Sequence, residues 1–132
     1  MSATRDVMAC FSDFGYVQVK PPLVEFEDTL LGEGPGASLA KSSFRLLDPV
    51  SHQMMALRAD MTAQVARISG TRLAHVPRPL RLAYSGEVMR VVPDVLNPER
   101  QLVQAGAEII GRDDEQAAAE MVVLGVRALV RA

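Results

Sequence analysis

Gln104 and Glu108 are the side chains of this sequence best spaced to hold a small polar ligand. They fall in an alternating run from Gln101 to Ile110, QLVQAGAEII, whose period of two is that of a strand. Leu102, Gln104, Gly106, Glu108 and Ile110 then share one face, and Val103, Ala105, Ala107 and Ile109 share the other. The second face is wholly apolar and needs a core. The first sets an amide and a carboxylate on either side of a glycine, roughly 14 Å apart at about 3.4 Å per residue. Pointing inward, the two side chains could bracket a ligand, and Gly106 would let that ligand approach the backbone. The same pattern fits the solvated face of a half-exposed sheet, which routinely carries Gln and Glu. Taken alone, it supports both readings.

Other polar residues have ordinary alternatives of the same kind. Asp60 precedes a short apolar stretch, Ala63 to Ile68, and is well placed to cap a helix there. His52 lies by a turn and His75 in a basic connection, and neither has a partner at metal-ligand spacing, so no metal is expected. Met54, Met55 and Met61 read as core or pocket-wall filler. Arg67, Arg72, Arg78 and Arg81 could form a surface for an anion or a partner, or simply a solvated face. The loop GEGPGAS, Gly32 to Ser38, lacks the Lys-Ser/Thr ending of a phosphate-binding loop, but its glycines suit a mobile or ligand-covering segment.

The elements that must position these residues follow from periodicity and punctuation. Ser2 to Phe14 reads as a helix with Ala3, Val7, Cys10, Phe11 and Phe14 on its apolar side and Gly15 as its stop. Tyr16 to Val19 is a short β-rich run, and Leu23 to Leu31 fits either a strand end or a short helix. Ser43–Leu47 and Met54–Arg58 form a hairpin around Asp48-Pro49-Val50-Ser51. Ala63 to Ile68 is a short helix stopped by Gly70. Arg81 to Arg90 is a strand with Leu82, Tyr84 and Val88 on one side, joined by the proline-broken loop Val91–Glu99 to the Gln101–Ile110 strand. Asp113-Asp114 cap a last helix with Ala118, Met121, Val122, Gly125 and Leu129 as its stripe. Both ends of the chain look cut. The order predicts an α+β fold with a mainly antiparallel sheet flanked by helices.

Composition narrows the class. At 132 residues the chain is one domain's worth, residues 1–132, with 48% apolar and 23% charged residues. A net charge of −2 gives no general attraction to nucleic acid. The single Cys10 excludes a disulfide framework and a cysteine metal site. No apolar run reaches membrane length and no signal peptide opens the chain, so a reducing cytoplasm is expected.

Three blocks, LRADMTAQVARI (Leu57–Ile68), RLAYSGEVMR (Arg81–Arg90) and RQLVQAGAEIIG (Arg100–Gly111), resemble the class II histidyl-tRNA synthetase core. More closely they resemble its non-catalytic paralogue, the regulatory subunit of ATP phosphoribosyltransferase in histidine biosynthesis. The resemblance covers nearly the whole chain, from the end of motif 1 through motif 2. It implies that Asp60 and Thr62 hold the amino group of histidine, that Gln104 and Glu108 contact the amino acid or its imidazole, and that Tyr84 lines the pocket. Arg90 matches the arginine that grips the ATP α-phosphate in synthetases, and Arg100, which opens the third block, joins it as a candidate for anions.

The departures also carry meaning. Val91-Val92-Pro93 stands where synthetases continue with a charged, glutamate-containing run, and Ala59-Asp60-Met61-Thr62 replaces Pro-Glu-Gly-Thr. Motif 3 is absent. Without those charges, nothing here would neutralise a triphosphate or stabilise adenylate formation, so no enzyme activity and no cofactor are expected. The resemblance implies a histidine-sensing subunit that acts through a separate short-form ATP phosphoribosyltransferase catalytic subunit by allosteric feedback. It also implies a homodimer through motif 1, with no evident basic surface for tRNA. The alternative is a fragment of a histidyl-tRNA synthetase, which would activate histidine with ATP.

Overall fold

The computed structural model describes residues 2–32, 34 and 36–132. Glu33 and Pro35 of the expected Gly32–Ser38 loop therefore lie outside the described residues, as does Met1 before the first helix. The elements in chain order are α1 (Ala3–Asp13), β1 (Val17–Gln18), β2 (Val24–Phe26), α2 (Glu27–Leu31), a 3-10 helix (Ala37–Ser42), β3 (Arg45–Leu47), β4 (Met54–Leu57), α3 (Thr62–Gly70), β5 (Leu80–Met89), β6 (Gln101–Ile110) and α4 (Glu115–Arg131). The expected α+β class holds. The open stretch Leu23–Leu31 resolves into a strand followed by a helix, and the 3-10 turn was not foreseen. The chain divides into two compact units. One contains the chain up to Lys20, Ile68–Ser85 and Ala105–Ala132, and the other Pro21–Arg67 and Gly86–Gln104.

In the first unit α1 packs on α4 around Cys10, Phe11, Tyr16, Ala83, Leu124 and Ala128, with Val7, Ala107, Ile109 and Met121 at the margin. Burying such apolar area stabilises a fold by about 25 cal/mol per Å². Gly15, at φ +86°, supplies the left-handed turn that ends α1. Beyond it β1 pairs in parallel with β5, Val17 opposite Leu82, at the edge of the sheet β1-β5-β6. The expected mainly antiparallel character holds, with this pairing the parallel exception among those described. α4 starts where Asp114 accepts the Ala117 N–H at 2.8 Å.

The stripe expected on α4 is corrected in part. Its core contacts come from Ala117, Met121, Leu124 and Ala128, while Val122 is 67% and Leu129 77% exposed. Of the expected stripe Met121 does reach the core, and the small Ala117 and Ala128 complete a face on which two helices can approach closely. On β6, Ala107 and Ile109 join the core as expected, but Val103 and Ala105 are exposed. At the first helix Ala3 and Phe14, expected on the apolar side, are exposed.

Tyr16 is 4% exposed, and its hydroxyl donates to Glu120 Oε2 at 3.1 Å while Arg81 Nε donates to both Glu120 oxygens. Burial first, then the bond to Glu120, pushes the phenol from 10.0 up to about 12. The fold favours the neutral phenol, so this contribution is complete below the unfolded value and lost as pH rises through about 12. Between those limits the melting temperature of the wild type should fall faster with pH than that of Tyr16→Phe. Parallel slopes in thermal melts would contradict this.

The second unit holds the antiparallel sheet β2-β4-β3, with Val24 opposite Leu57 and Leu47 opposite Met54, as the expected hairpin requires. Its tight turn is closed by Asp48, whose carboxylate accepts from the Val50 and Ser51 N–H groups and the Ser51 hydroxyl. These bonds, that to the Ser51 hydroxyl first, hold the Asp48 pKa below the usual carboxylate value. Leu30, Leu31 and Ala56 form a small core with Leu39 and Ala40 at its edge. Met61 is fully buried, whereas Met54 is half exposed in its strand.

Candidate functional site

Asp60, Thr62 and Gln104 come together in the second unit. The Asp60 Oδ1 atom accepts the Thr62 N–H at 2.8 Å, a bond to the first residue of α3, while the N-cap position expected for Asp60 is taken by Met61, whose carbonyl accepts the first helical bond from Val65 N–H. The same oxygen accepts from Gln104 Nε2 at 3.3 Å, and Gln104 Oε1 accepts the Met61 N–H at 2.8 Å. One amide thus holds both ends of the Asp60–Met61 turn and sets the carboxylate at the head of α3. A carboxylate with a nearby hydroxyl supplies the acceptor oxygens that an ammonium group needs, because an ammonium offers three N–H donors and no acceptor. Asp60 and Thr62 also line a concavity of about 220 Å³ with Ser38, Leu39, Ala63 and Ala66. Ser38 is a wall that the sequence reading missed.

Tyr84 and Glu108 come together in the first unit. The buried Tyr84 hydroxyl donates to Glu108 Oε1 at 3.0 Å. Its ring lies over Gly106, where a methyl group would meet the hydroxyl oxygen at 2.5 Å and Cζ at 2.6 Å. This corrects the expected use of the glycine. The space it leaves open is taken by Tyr84, and in this structure the glycine serves the tyrosine that orients Glu108.

The two candidate anion residues have internal neighbours. Arg90 Nε donates to the Ala59 carbonyl at 3.4 Å, and the Arg100 guanidinium lies 5.5 Å from the centre of the Phe44 ring, a cation–π distance. Three of the four basic residues grouped in the sequence are likewise engaged. Arg67 pairs with Glu25, Arg81 with Glu120, and Arg78 donates to the carbonyls of Ser69, Leu73 and Val76. His52 and His75 are exposed. Among the described residues no three His, Cys, Asp or Glu side chains are grouped as a metal site.

Sequence reasoning passed over Arg58, the residue that locks the turn from behind. It is only 6% exposed, donates from Nε to Glu87 O at 2.7 Å and from Nη1 to Pro21 O at 2.8 Å, and lies against Gly86, which has no side chain to obstruct it. Its backbone continues the frame, the N–H donating to Leu23 O and the carbonyl accepting from Met89 N–H. Burial lowers its pKa, with Glu87 and Glu25 opposing, yet a guanidinium keeps its charge at neutral pH. The partner carbonyls are 37 and 29 positions away, which no local pattern encodes.

Comparison with known proteins follows this geometry. Residues 1–132 match the family model described as histidyl-tRNA synthetase. The ATP phosphoribosyltransferase regulatory subunit of Paramagnetospirillum magneticum is 53% identical over 128 residues, 97% of this chain and 34% of that protein. That of Gluconobacter oxydans is 56% identical over 123 residues, 93% of this chain and 32% of the relative. The chain therefore spans about a third of the length of the curated relatives it matches. A solved Bacillus halodurans structure, described as an ATP phosphoribosyltransferase regulatory subunit/histidyl-tRNA synthetase, matches with a TM-score of 0.76 at 29% identity, over 98% of this chain and 33% of that one. The apo S. aureus histidyl-tRNA synthetase shares the fold, with a TM-score of 0.73 at 20% identity over 96% of this chain and 28% of its own. The fold is that of the class II synthetase core, and the chain belongs to the histidyl-tRNA synthetase family.

Proposed function

We propose that this chain is part of a non-catalytic regulatory subunit of ATP phosphoribosyltransferase, one that binds L-histidine and feeds its level back to a separate short-form catalytic subunit. The supporting observation is the Asp60–Thr62–Gln104 cluster, set in a chain 53–56% identical to proteins named as such regulatory subunits. In this reading Asp60 and Thr62 receive the ammonium group, Gln104, Glu108 and Tyr84 bind the rest of the amino acid, and Arg90 and Arg100 remain available to an anion. Residues 1–132 belong to one synthetase-like core domain, acting in the cytoplasm without a cofactor. Feedback needs only that histidine bind one state of the assembly more tightly than another; no bond is made or broken in this subunit.

Calorimetric titration with L-histidine tests the reading directly. A saturable heat is expected, and its absence from folded, full-length protein together with its catalytic subunit would overturn histidine sensing. Histidine-dependent exchange of pyrophosphate into ATP should be undetectable. Its appearance would instead favour the synthetase reading, which the family match supports and the Val91-Val92-Pro93 run opposes. We also expect a homodimer through α1 and β1. Light scattering that finds only monomer at tens of micromolar would refute that.

A further inference from the structure

The side of α4 opposite its core contacts carries no charge. Val122, Val123, Val126, Leu129 and Val130 all fall on it, exposed by between 48% and 79%. At about 100° per residue they lie within an arc of roughly 120°, and the stripe from Val122 to Val130 runs about 12 Å along the axis. Beyond the first turn the charged residues of α4 are Glu120, Arg127 and Arg131, and all three lie outside that arc. Glu120 is held by Arg81 and Arg131 by Asp13. With Ala117, Leu124 and Ala128 buried on the other side, α4 is apolar on both faces. A helix of this kind belongs in an interior, and soluble proteins rarely leave a large contiguous apolar patch in water.

We propose that this face seats a segment from the remaining two-thirds of the subunit's own chain, packed on α4 as a second layer. Length supports it. The regulatory subunits are matched over 34% and 32% of their length, and the S. aureus synthetase over 28% of its own, so a chain of either kind lies mostly outside residues 1–132. Composition supports it as well. Surfaces kept for a separate partner are anchored by Trp, Tyr, Arg or Met inside a polar rim. The stripe has none of these, and its valines and leucine are the residues of a domain interior. It also offers no charge by which a partner could be steered or selected. A segment of the same chain covers the face as the subunit folds, whereas a face kept for another subunit would stand open until assembly and invite aggregation. The inference needs the length of the relatives and not histidine binding, so a failed histidine titration would leave it standing.

The test is photo-cross-linking of the full-length subunit with its leucines replaced by photo-leucine, a close isostere that carries a diazirine. The subunit is assembled from mixed light and heavy-isotope chains, with the catalytic subunit present. Irradiation should join Leu129 to residues outside 1–132, and only within light chains or within heavy ones. Light-to-heavy products would give the face to a second copy, and products with the catalytic subunit would give it to that partner. Products of water, or of residues within 1–132 alone, would leave the face uncovered. Each of those results overturns the proposal. Val126→Gln in the same full-length protein gives a second reading. Glutamine is the better helix former of the two, so on an open face it holds or raises the melting temperature, which would also overturn the proposal. Beneath a covering segment it buries an amide, and the melting temperature should fall by several degrees.

Discussion

Asp60→Ala should abolish calorimetrically detectable binding of L-histidine, and Asp60→Asn should weaken it about 10- to 100-fold while leaving the fold nearly intact. The two substitutions separate two jobs of one side chain. At the head of α3, Asp60 accepts the Thr62 N–H, for which the first turn of a helix offers no acceptor of its own, and losing a side-chain acceptor of this kind costs about 0.5–2 kcal/mol of stability. As the proposed ammonium partner it makes a charge-assisted bond worth about 1.5–3 kcal/mol. Asparagine keeps the accepting oxygen and removes only the charge. Thermal melts should therefore rank Asp60→Asn close to wild type and Asp60→Ala below it, while both lose affinity. Histidine binding unchanged in Asp60→Asn would remove Asp60 from the ligand site and leave it an acceptor at the head of α3 alone.

Gly106→Ala should be the most disruptive single-methyl change in β6. The added carbon would stand 2.5–2.9 Å from three atoms of the Tyr84 phenol. Tyr84 is buried, so its ring cannot swing into solvent. Overpacking of this kind typically costs about 1–3 kcal/mol. The displaced hydroxyl would also release Glu108. Tyr84→Phe serves as the comparison, because it loses only the hydrogen bond, about 1 kcal/mol, and keeps the ring. Urea melts should place Gly106→Ala well below Tyr84→Phe. The double variant Gly106→Ala with Tyr84→Ala, which removes the clashing ring, should recover part of the alanine's cost relative to Tyr84→Ala alone. Equal costs of the alanine in both backgrounds would show that the ring is not what the glycine accommodates.

Much of the architecture could be read from local pattern, and what could not has a common cause. Cys10 and Phe11 at helical spacing, the strand alternation around Ala107 and Ile109, and the Asp48 turn all encode themselves within a few residues. α4 does not. It carries apolar residues on two sides, and only the partner helix decides that Ala117 and Ala128, not Val122 and Leu129, face the core. For the site, the alternation that singled out Gln104 and Glu108 was informative, and the structure gives each a specific partner in Asp60 and Tyr84. The role of Gly106 was misjudged because a missing side chain looks the same whether a ligand or a tyrosine fills the gap. Arg58 was invisible because its partners are backbone carbonyls, and every residue has one of those.

Cys10, the lone thiol, sits 1% exposed in the α1–α4 packing. A thiol reagent added to the intact protein therefore has nothing to react with until that packing opens. The labelling rate becomes a clock on the opening of that one unit, readable with no engineered probe. A ligand that stiffens the α1–α4 pair would slow the clock, and one that acts elsewhere would leave it running at the same pace.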